Sequence, residues 1–257
     1  MKLNDRQKEI VDVLGNTGEL SVELLAERFS VSTQTIRKDI NQLCEAGLTR
    51  RVHGGVALPV TTQNSSYHTR RTTNASVKST IAQACATHIP SGSSLFLGIG
   101  TSVAMLAEAL IDHRDLQVLT NNLDVANILC DHVDINVLLS GGRLRCNDRD
   151  LVGEKTVQFF REFRVDFGIV GSGGLDPDAG LLDFDPQEAE VSRAILANSR
   201  QRILLADASK WKRRAMVVVA PFEQIDLFIT DRLTSDQQGL LDSRGLEWLA
   251  TSMDDVQ

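Results

Sequence analysis

The chain has 257 residues, 42% hydrophobic and 24% charged, with a formal net charge of −7. That length holds a small domain plus a larger one of about 180 residues. No apolar run approaches the roughly 18 residues of a membrane span, the start lacks a signal-peptide h-region, and the acidic balance gives no nucleic-acid footprint by itself, so a cytoplasmic protein without a membrane partner is expected.

The first helical pattern follows Asp5, with Ile10, Val13 and Leu14 on one face; a second starts near Ser21 and carries Leu20, Leu24, Leu25 and Phe29. A third begins at Ser32, a good N-cap because its hydroxyl accepts from a free amide of the first turn. It repeats Ile36, Ile40 and Leu43 at helical spacing. Its other face offers Thr33, Gln34, Arg37 and Lys38, and with Ser32 and Thr35 these are groups that reach base edges and phosphates. Gly47 suits the left-handed residue after a helix. Arg50, Arg51 and His53 then lead into Gly54-Gly55, a basic strand and tight turn that read as a wing. Three short helices with a junction over residues 29–32 bury one small core and leave the third helix free to dock in a major groove. Between residues 32 and 55 the cations Arg37, Lys38, Arg50 and Arg51 outweigh Asp39 and Glu45, a locally basic face on an acidic chain. Asp39 is either a partner for a neighbouring arginine or a solvated charge.

Residues 1–58 are therefore expected to be a winged helix-turn-helix DNA-binding domain. Residues 59–76 are polar and rich in Ser and Thr, which suits a linker. Arg70 and Arg71 within it are either solvated charge or phosphate contacts.

From residue 77 to 257, apolar strands at 94–99, 117–120, 135–139, 167–170, 202–206, 216–219 and 227–230 alternate with helices at 78–88, 102–110, 124–130, 155–163 and 187–198. That alternation predicts an α/β domain with a mainly parallel sheet covered on both faces. Such sheets bind ligands beyond the carboxyl ends of their strands. There the chain places Gly100, Thr101 and Ser102, then Asn121 and Asn122, then Gly141, Gly142 and Arg145, then Gly173, and finally Asp207 and Lys210. The first turn offers backbone amides, two hydroxyls and a helix N-terminus, which suit a phosphate. It is not a dinucleotide fingerprint, because Val103 stands where a third glycine belongs. Together with Asp183 and Glu188 these loops predict one pocket for a phosphorylated polyol, with Lys210 supplying positive charge. The scattered Cys44, Cys85, Cys130 and Cys146 and the histidines show no metal spacing, so neither metal nor cofactor is expected.

The run from Arg6 through Ile10 and Leu14 to Ser32, Thr35, Ile36, Arg37, Lys38, Asp39 and Ile40, with the wing RRVHGG, resembles the N-terminal signature of the DeoR family of bacterial transcriptional regulators. The segments GIGTS, LTNN, SGGRLR, VGSGGLD, LLDFD with Glu188, and ADASK resemble that family's effector domain, which is similar to the ribose-5-phosphate isomerase and glucosamine-6-phosphate deaminase folds. The segments LTNNLDVANIL and LLDFDPQEAEVSRAI look most like the regulators that respond to glycerol 3-phosphate and other sugar phosphates. Gly98 stands where many members carry an aspartate. The resemblance implies a repressor of a carbohydrate operon, a homodimer or homotetramer on operator DNA, released by a phosphorylated sugar or polyol. The competing readings are an activator, a protein-interaction module, and a sugar-phosphate isomerase with an appended helical domain, for which Asp183, Asp185, Glu188, Asp207 and Lys210 supply acids and bases.

Overall fold

The computed structural model describes residues 3–17, 19–52, 54–57 and 67–251. The described residues fall into two compact units, one within Met1–Thr61 and Thr72–Asn74, the other within Thr62–Arg71 and Ala75–Gln257.

The first unit, the reader, contains α1 (Asp5–Thr17), β1 (Glu19–Ser21), α2 (Val22–Arg28), α3 (Thr33–Glu45), β2 (Arg50–Val52) and β3 (Gly55–Ala57). Its core joins Ile10, Leu14, Val22, Leu25, Ala26, Ile36, Ile40, Leu43 and Val56. Ser21 caps α2 through the amide of Leu24, and Ser32 caps α3 through the amide of Thr35. Helix α3 ends as its glycine predicts. Gly47 has φ +70°, and the amides of Leu48 and Gly47 return to the carbonyls of Leu43 and Cys44, which closes the exposed carbonyls of the last turn. One expectation fails. Leu24 is 55% exposed, because helical spacing from Val22 turns Leu25, Ala26 and Phe29 inward and Leu24 outward. The wing has an unforeseen third strand: β3 lies between β1 and β2, antiparallel to both.

The second unit, the sensor, begins with α4 (Tyr67–Thr72) and α5 (Ala75–Ala86). Residues 67–72 and 75–76 of the expected linker are thus helical; residues 59–66 lie outside the described residues. Then follow β4 (Ser94–Leu97), α6 (Thr101–Ala109), β5 (Leu116–Thr120), α7 (Leu123–Leu129), β6 (Ile135–Leu139), β7 (Arg143–Arg145), β8 (Asp150–Val152), α8 (Glu154–Arg161) and β9 (Val165–Val170). The chain continues through β10 (Gly174–Asp176), β11 (Gly180–Asp183), α9 (Pro186–Ala197), β12 (Ser199–Leu205), β13 (Val217–Ala220), β14 (Leu227–Thr230), α10 (Ser235–Ser243) and β15 (Glu247–Ala250).

Seven strands form one sheet in the order β15-β14-β12-β9-β4-β5-β6, and every neighbouring pair is parallel. Alternation along the strands divides the core. Leu95 and Leu97 join Ile81, Val103, Leu106 and Val125 on one face. Phe96 joins Phe160, Val191, Ile195 and Leu241 on the other. The segment at 216–219 is not part of this sheet. As β13 it pairs antiparallel with β11 in a small sheet of its own. The short strands β7, β8, β10 and β11 occupy stretches that read as loops, because three or four residues with Gly and Asp carry turn signals rather than strand periodicity.

The sheet order positions the cavity. From β4 the chain builds outward through β5 and β6, then returns to the other side of β4 with β9, β12, β14 and β15. The order reverses between β4 and β9, which opens a crevice at their carboxyl ends.

Candidate nucleic-acid interface and sensor cavity

In the reader, Thr33, Gln34, Arg37 and Lys38 are exposed on α3. Ser32 and Thr35 use their hydroxyls locally: each is within 2.9 Å of the other, and the Ser32 hydroxyl also accepts from the Thr35 amide. They set the start of the helix. Arg50 and Arg51 are exposed on β2. Arg51 Nη2 donates to Asn41 Oδ1 on α3, which ties wing to helix. His53 lies outside the described residues. The neighbouring arginine of Asp39 is Arg6, whose Nε donates to Asp39 Oδ2 at 2.6 Å. The backbone of the wing is close-packed at Gly55, where a Cβ would fall 2.2 Å from the Leu20 carbonyl oxygen.

In the sensor, a cavity of about 40 Å³ opens at the strand-order reversal. Ile99, Gly100, Thr101 and Ser102 line it after β4, Gly171, Ser172 and Gly173 after β9, with Leu205 at the end of β12 and Lys210 beyond it. Asp183, Glu188, Asp148, Asp150 and Arg70 complete the wall. Gly100 has φ +115°, which favours glycine, and gives α6 no side-chain cap. The first turn of that helix therefore has amides available to an anion. Thr101 and Ser102 are nearly fully buried.

The charges are crowded. Arg70 Nη2 lies 2.5 Å from Asp148 Oδ1, and the Arg70 carbonyl accepts from Lys78 Nζ and, at 3.5 Å, from the Thr101 hydroxyl. Burial pulls the Lys210 ammonium well below the usual lysine range; Arg213, Lys78 and Arg70 add to this, while Asp207 opposes it. Burial also lowers Arg213, to about 10, with Arg70 adding to the effect. Across the cavity, burial raises Glu188 well above the usual carboxyl range, the Asp183 charge adds to it and Arg145 opposes it. Asp183 is raised by burial too, against the Phe184 amide and Glu188. The two shifts share a cause, since two buried carboxyls side by side cannot both ionise cheaply.

Five predicted pocket residues stand elsewhere. Asn122 caps α7, accepting from the amides of Asp124 and Val125, and donates to the carbonyls of Gly98 and Gly100. Asn121 donates to the Leu151 carbonyl. Gly141 accepts from the Thr156 hydroxyl, and a Cβ on Gly142 would meet that hydroxyl at 2.2 Å. These four follow β5 and β6, on the side of β4 away from the reversal. Arg145 is taken up by carboxylates: both oxygens of Asp150, Asp185 at 2.9 Å, and Glu188. It shapes the wall from behind. Arg70, Asp148 and Asp150 were missed. The signal for Arg70 was Tyr67, the single tyrosine of the chain, set in a polar stretch yet 5% exposed. A buried aromatic anchors a segment that composition alone marks as solvated.

Among the described residues no helix is long and apolar enough to cross a membrane. A family model described as DeoR-like helix-turn-helix domain matches residues 6–62, and one described as DeoR C terminal sensor domain matches residues 73–232. The glycerol-3-phosphate regulon repressor of Escherichia coli strain K12 is 44% identical over 231 residues, covering 90% of this chain and 92% of that protein. The glycerol-3-phosphate regulon repressor of Haemophilus influenzae is 42% identical over 230 residues, 90% of each. Among solved structures, ribose 5 phosphate isomerase A from Neisseria gonorrhoeae aligns over 53% of each chain with a TM-score of 0.39 and 15% identity, a likeness too weak to carry an activity across.

Proposed function

The chain belongs to the DeoR family of transcriptional regulators, and on that premise we propose that it is a DNA-binding repressor of a carbohydrate or polyol-phosphate regulon, released from its operator by a phosphorylated sugar or polyol. One observation carries this reading: a single chain joins an exposed basic recognition helix with its wing to a polar cavity walled by both cations and carboxylates.

In this reading α3 enters the major groove with Arg37, Lys38, Gln34 and Thr33 toward the bases, and Arg50 and Arg51 hold phosphates from the wing. The effector's phosphate sits against the first turn of α6, with the hydroxyls of Thr101 and Ser102, and takes its charge partners from Lys210 and Arg70. Its hydroxyls meet Asp183 and Glu188; burial favours a proton on Glu188, which lets the pair both donate and accept. The effector's phosphate competes with Asp148 for the Arg70 guanidinium. Two readers of a homo-oligomer occupy half-sites about one helical turn, or a multiple, apart. Effector binding favours an arrangement that fits this spacing poorly, with a coupling of about 1–3 kcal/mol. No cofactor enters this scheme, and Asp183, Glu188 and Lys210 bind rather than catalyse.

The test is a screen of phosphorylated sugars and polyols, glycerol 3-phosphate first, for release of genomic fragments captured by the purified protein. Saturable release without chemical change of the compound supports the reading. Turnover of the compound would support the isomerase alternative, and stable DNA complexes throughout the screen would remove the sensor role.

A further inference from the structure

Asp39 lies in the middle of the recognition helix, between exposed Lys38 and buried Ile40, and is 3% exposed. Both of its oxygens are engaged. Oδ2 accepts from Arg6 Nε at 2.6 Å and Oδ1 from Gln7 Nε2 at 3.2 Å. Gln7 Nε2 also reaches Gln42 Oε1 at 2.6 Å, while the backbone amides of Asn4 and Gln7 are each held by the other's side chain. The start of α1 is thus locked to α3 through polar contacts. An ion pair with one buried partner is a weak way to gain stability, because desolvation of Asp39 offsets much of the attraction. A salt bridge here therefore points to a role beyond holding two helices together.

The geometry of Arg6 supplies that role. Only its Nε is used by Asp39; among the described residues Nη1 and Nη2 have no partner, and the side chain is 32% exposed. Successive residues of an α-helix turn by about 100°. Asp39 is therefore one step round from Lys38, on the flank of α3 that meets α1. Asn41, one turn on from Arg37 and so within the exposed face, accepts from Arg51 of β2. Two arginines, one from before the recognition helix and one from after it, are each fixed through a short side chain of α3, Arg51 over its exposed face and Arg6 on the flank toward α1. A helix in a major groove lies between two phosphate backbones.

We propose that Arg6 is a phosphate-binding residue of the reader, held by Asp39 on the flank of the recognition helix that meets α1, so that it grips a backbone strand bordering the major groove that α3 enters. This rests on the DNA-reader assignment above. A guanidinium whose Nε is already fixed loses little freedom on contact and presents two Nη groups to a phosphate. The contact orients α3 and carries no base preference of its own.

The experiment measures binding of the full-length protein to a captured genomic duplex and to a random-sequence duplex across a range of salt. Wild type is compared with R6Q, R6Q/D39N, R6K and D39N. The double variant replaces the ion pair by neutral amides and leaves no buried unpaired charge, so it keeps the test valid if R6Q alone fails to fold. The proposal expects the double variant to melt like wild type, to bind both duplexes about tenfold more weakly, and to lose about one unit of the log–log salt slope. R6K and D39N, which keep a cation at position 6, should retain the slope. A folded double variant with wild-type slope and affinity overturns the proposal and leaves Arg6 a structural tie. Absence of salt-dependent binding by wild type overturns the reader assignment with it.

Discussion

Arg70 and Asp148 form an ion pair of 2.5 Å on the wall of the sensor cavity, and Arg70 belongs to α4, the first described element after the reader. An anionic ligand entering that cavity competes directly with Asp148 for the guanidinium. Arg70 is also held through its backbone carbonyl by Lys78 and Thr101. Breaking the ion pair with Asp148 therefore changes only part of what fixes α4.

Lys210→Ala and Arg70→Ala should each leave operator affinity near wild type and make the repressor hard to induce. A phosphate dianion without its cation forgoes a charge-assisted hydrogen bond worth roughly 1.5–3 kcal/mol. The check is a titration of the releasing phosphorylated compound against the DNA complex. Half-release at the wild-type concentration in both variants would take these two cations out of the ligand's reach.

Arg37 is exposed beside Gln34 and Lys38 on α3. Arg37→Ala should weaken operator binding without changing the melting temperature. Removing a bidentate hydrogen bond to a base costs about 1–3 kcal/mol and relaxes preference at one base pair. Binding to a panel of operator variants reads this out; affinity and preference both unchanged would misplace the helix.

Replacing Arg50 and Arg51 together by Ala should weaken every sequence alike and lower the salt slope by at most about 2 units. Because Arg51 is bonded to Asn41, Asn41→Ala should reproduce a smaller part of the loss by freeing the wing. A loss confined to one operator variant, with the slope intact, would assign the wing to base readout.

Burial, reinforced by Asp183, raises Glu188 well above its ordinary pKa of 4.5, with Arg145 opposing. The folded chain then binds this proton more tightly than the unfolded chain does. Stability is unaffected below the unfolded value, falls as pH rises from there through the folded value, and carries the full penalty above it. Glu188→Gln should therefore flatten the fall in melting temperature that sets in as pH rises above the unfolded value of 4.5. A variant whose melting follows pH as wild type does would show that Glu188 ionises normally.

Gly55→Ala should destabilise the reader by roughly 1–3 kcal/mol, since the added Cβ meets backbone at Leu20 that cannot turn aside. Gly54→Ala meets open space but keeps φ +72°, so its cost comes from the left-handed backbone alone. Thermal melting of the two variants separates these causes; a Gly55→Ala protein as stable as wild type would mean that the wing strands are less tightly joined.

By itself the sequence determined what is local. Ser32 caps α3, Gly47 ends it, and Ile36, Ile40 and Leu43 bury one side of it, because caps and helical periodicity act over a few residues. The continuous apolar strands specified a parallel sheet for the same reason, and the Gly100 turn announced the start of α6. What lay between distant segments was decided by tertiary structure. Strand order, which periodicity does not encode, placed the loops after β4, β9 and β12 around one cavity and left Asn121, Asn122, Gly141 and Gly142 on the far side of β4. Pairing partners made Arg145 a clasp for carboxylates and turned Asp39 toward Arg6. Tyr67 brought Arg70 out of an apparent linker into the sensor, because burying an aromatic outweighs the polarity of its neighbours in sequence. A side chain's type can be read from the chain, but its charge partner depends on which surfaces the fold brings within a few ångströms of it.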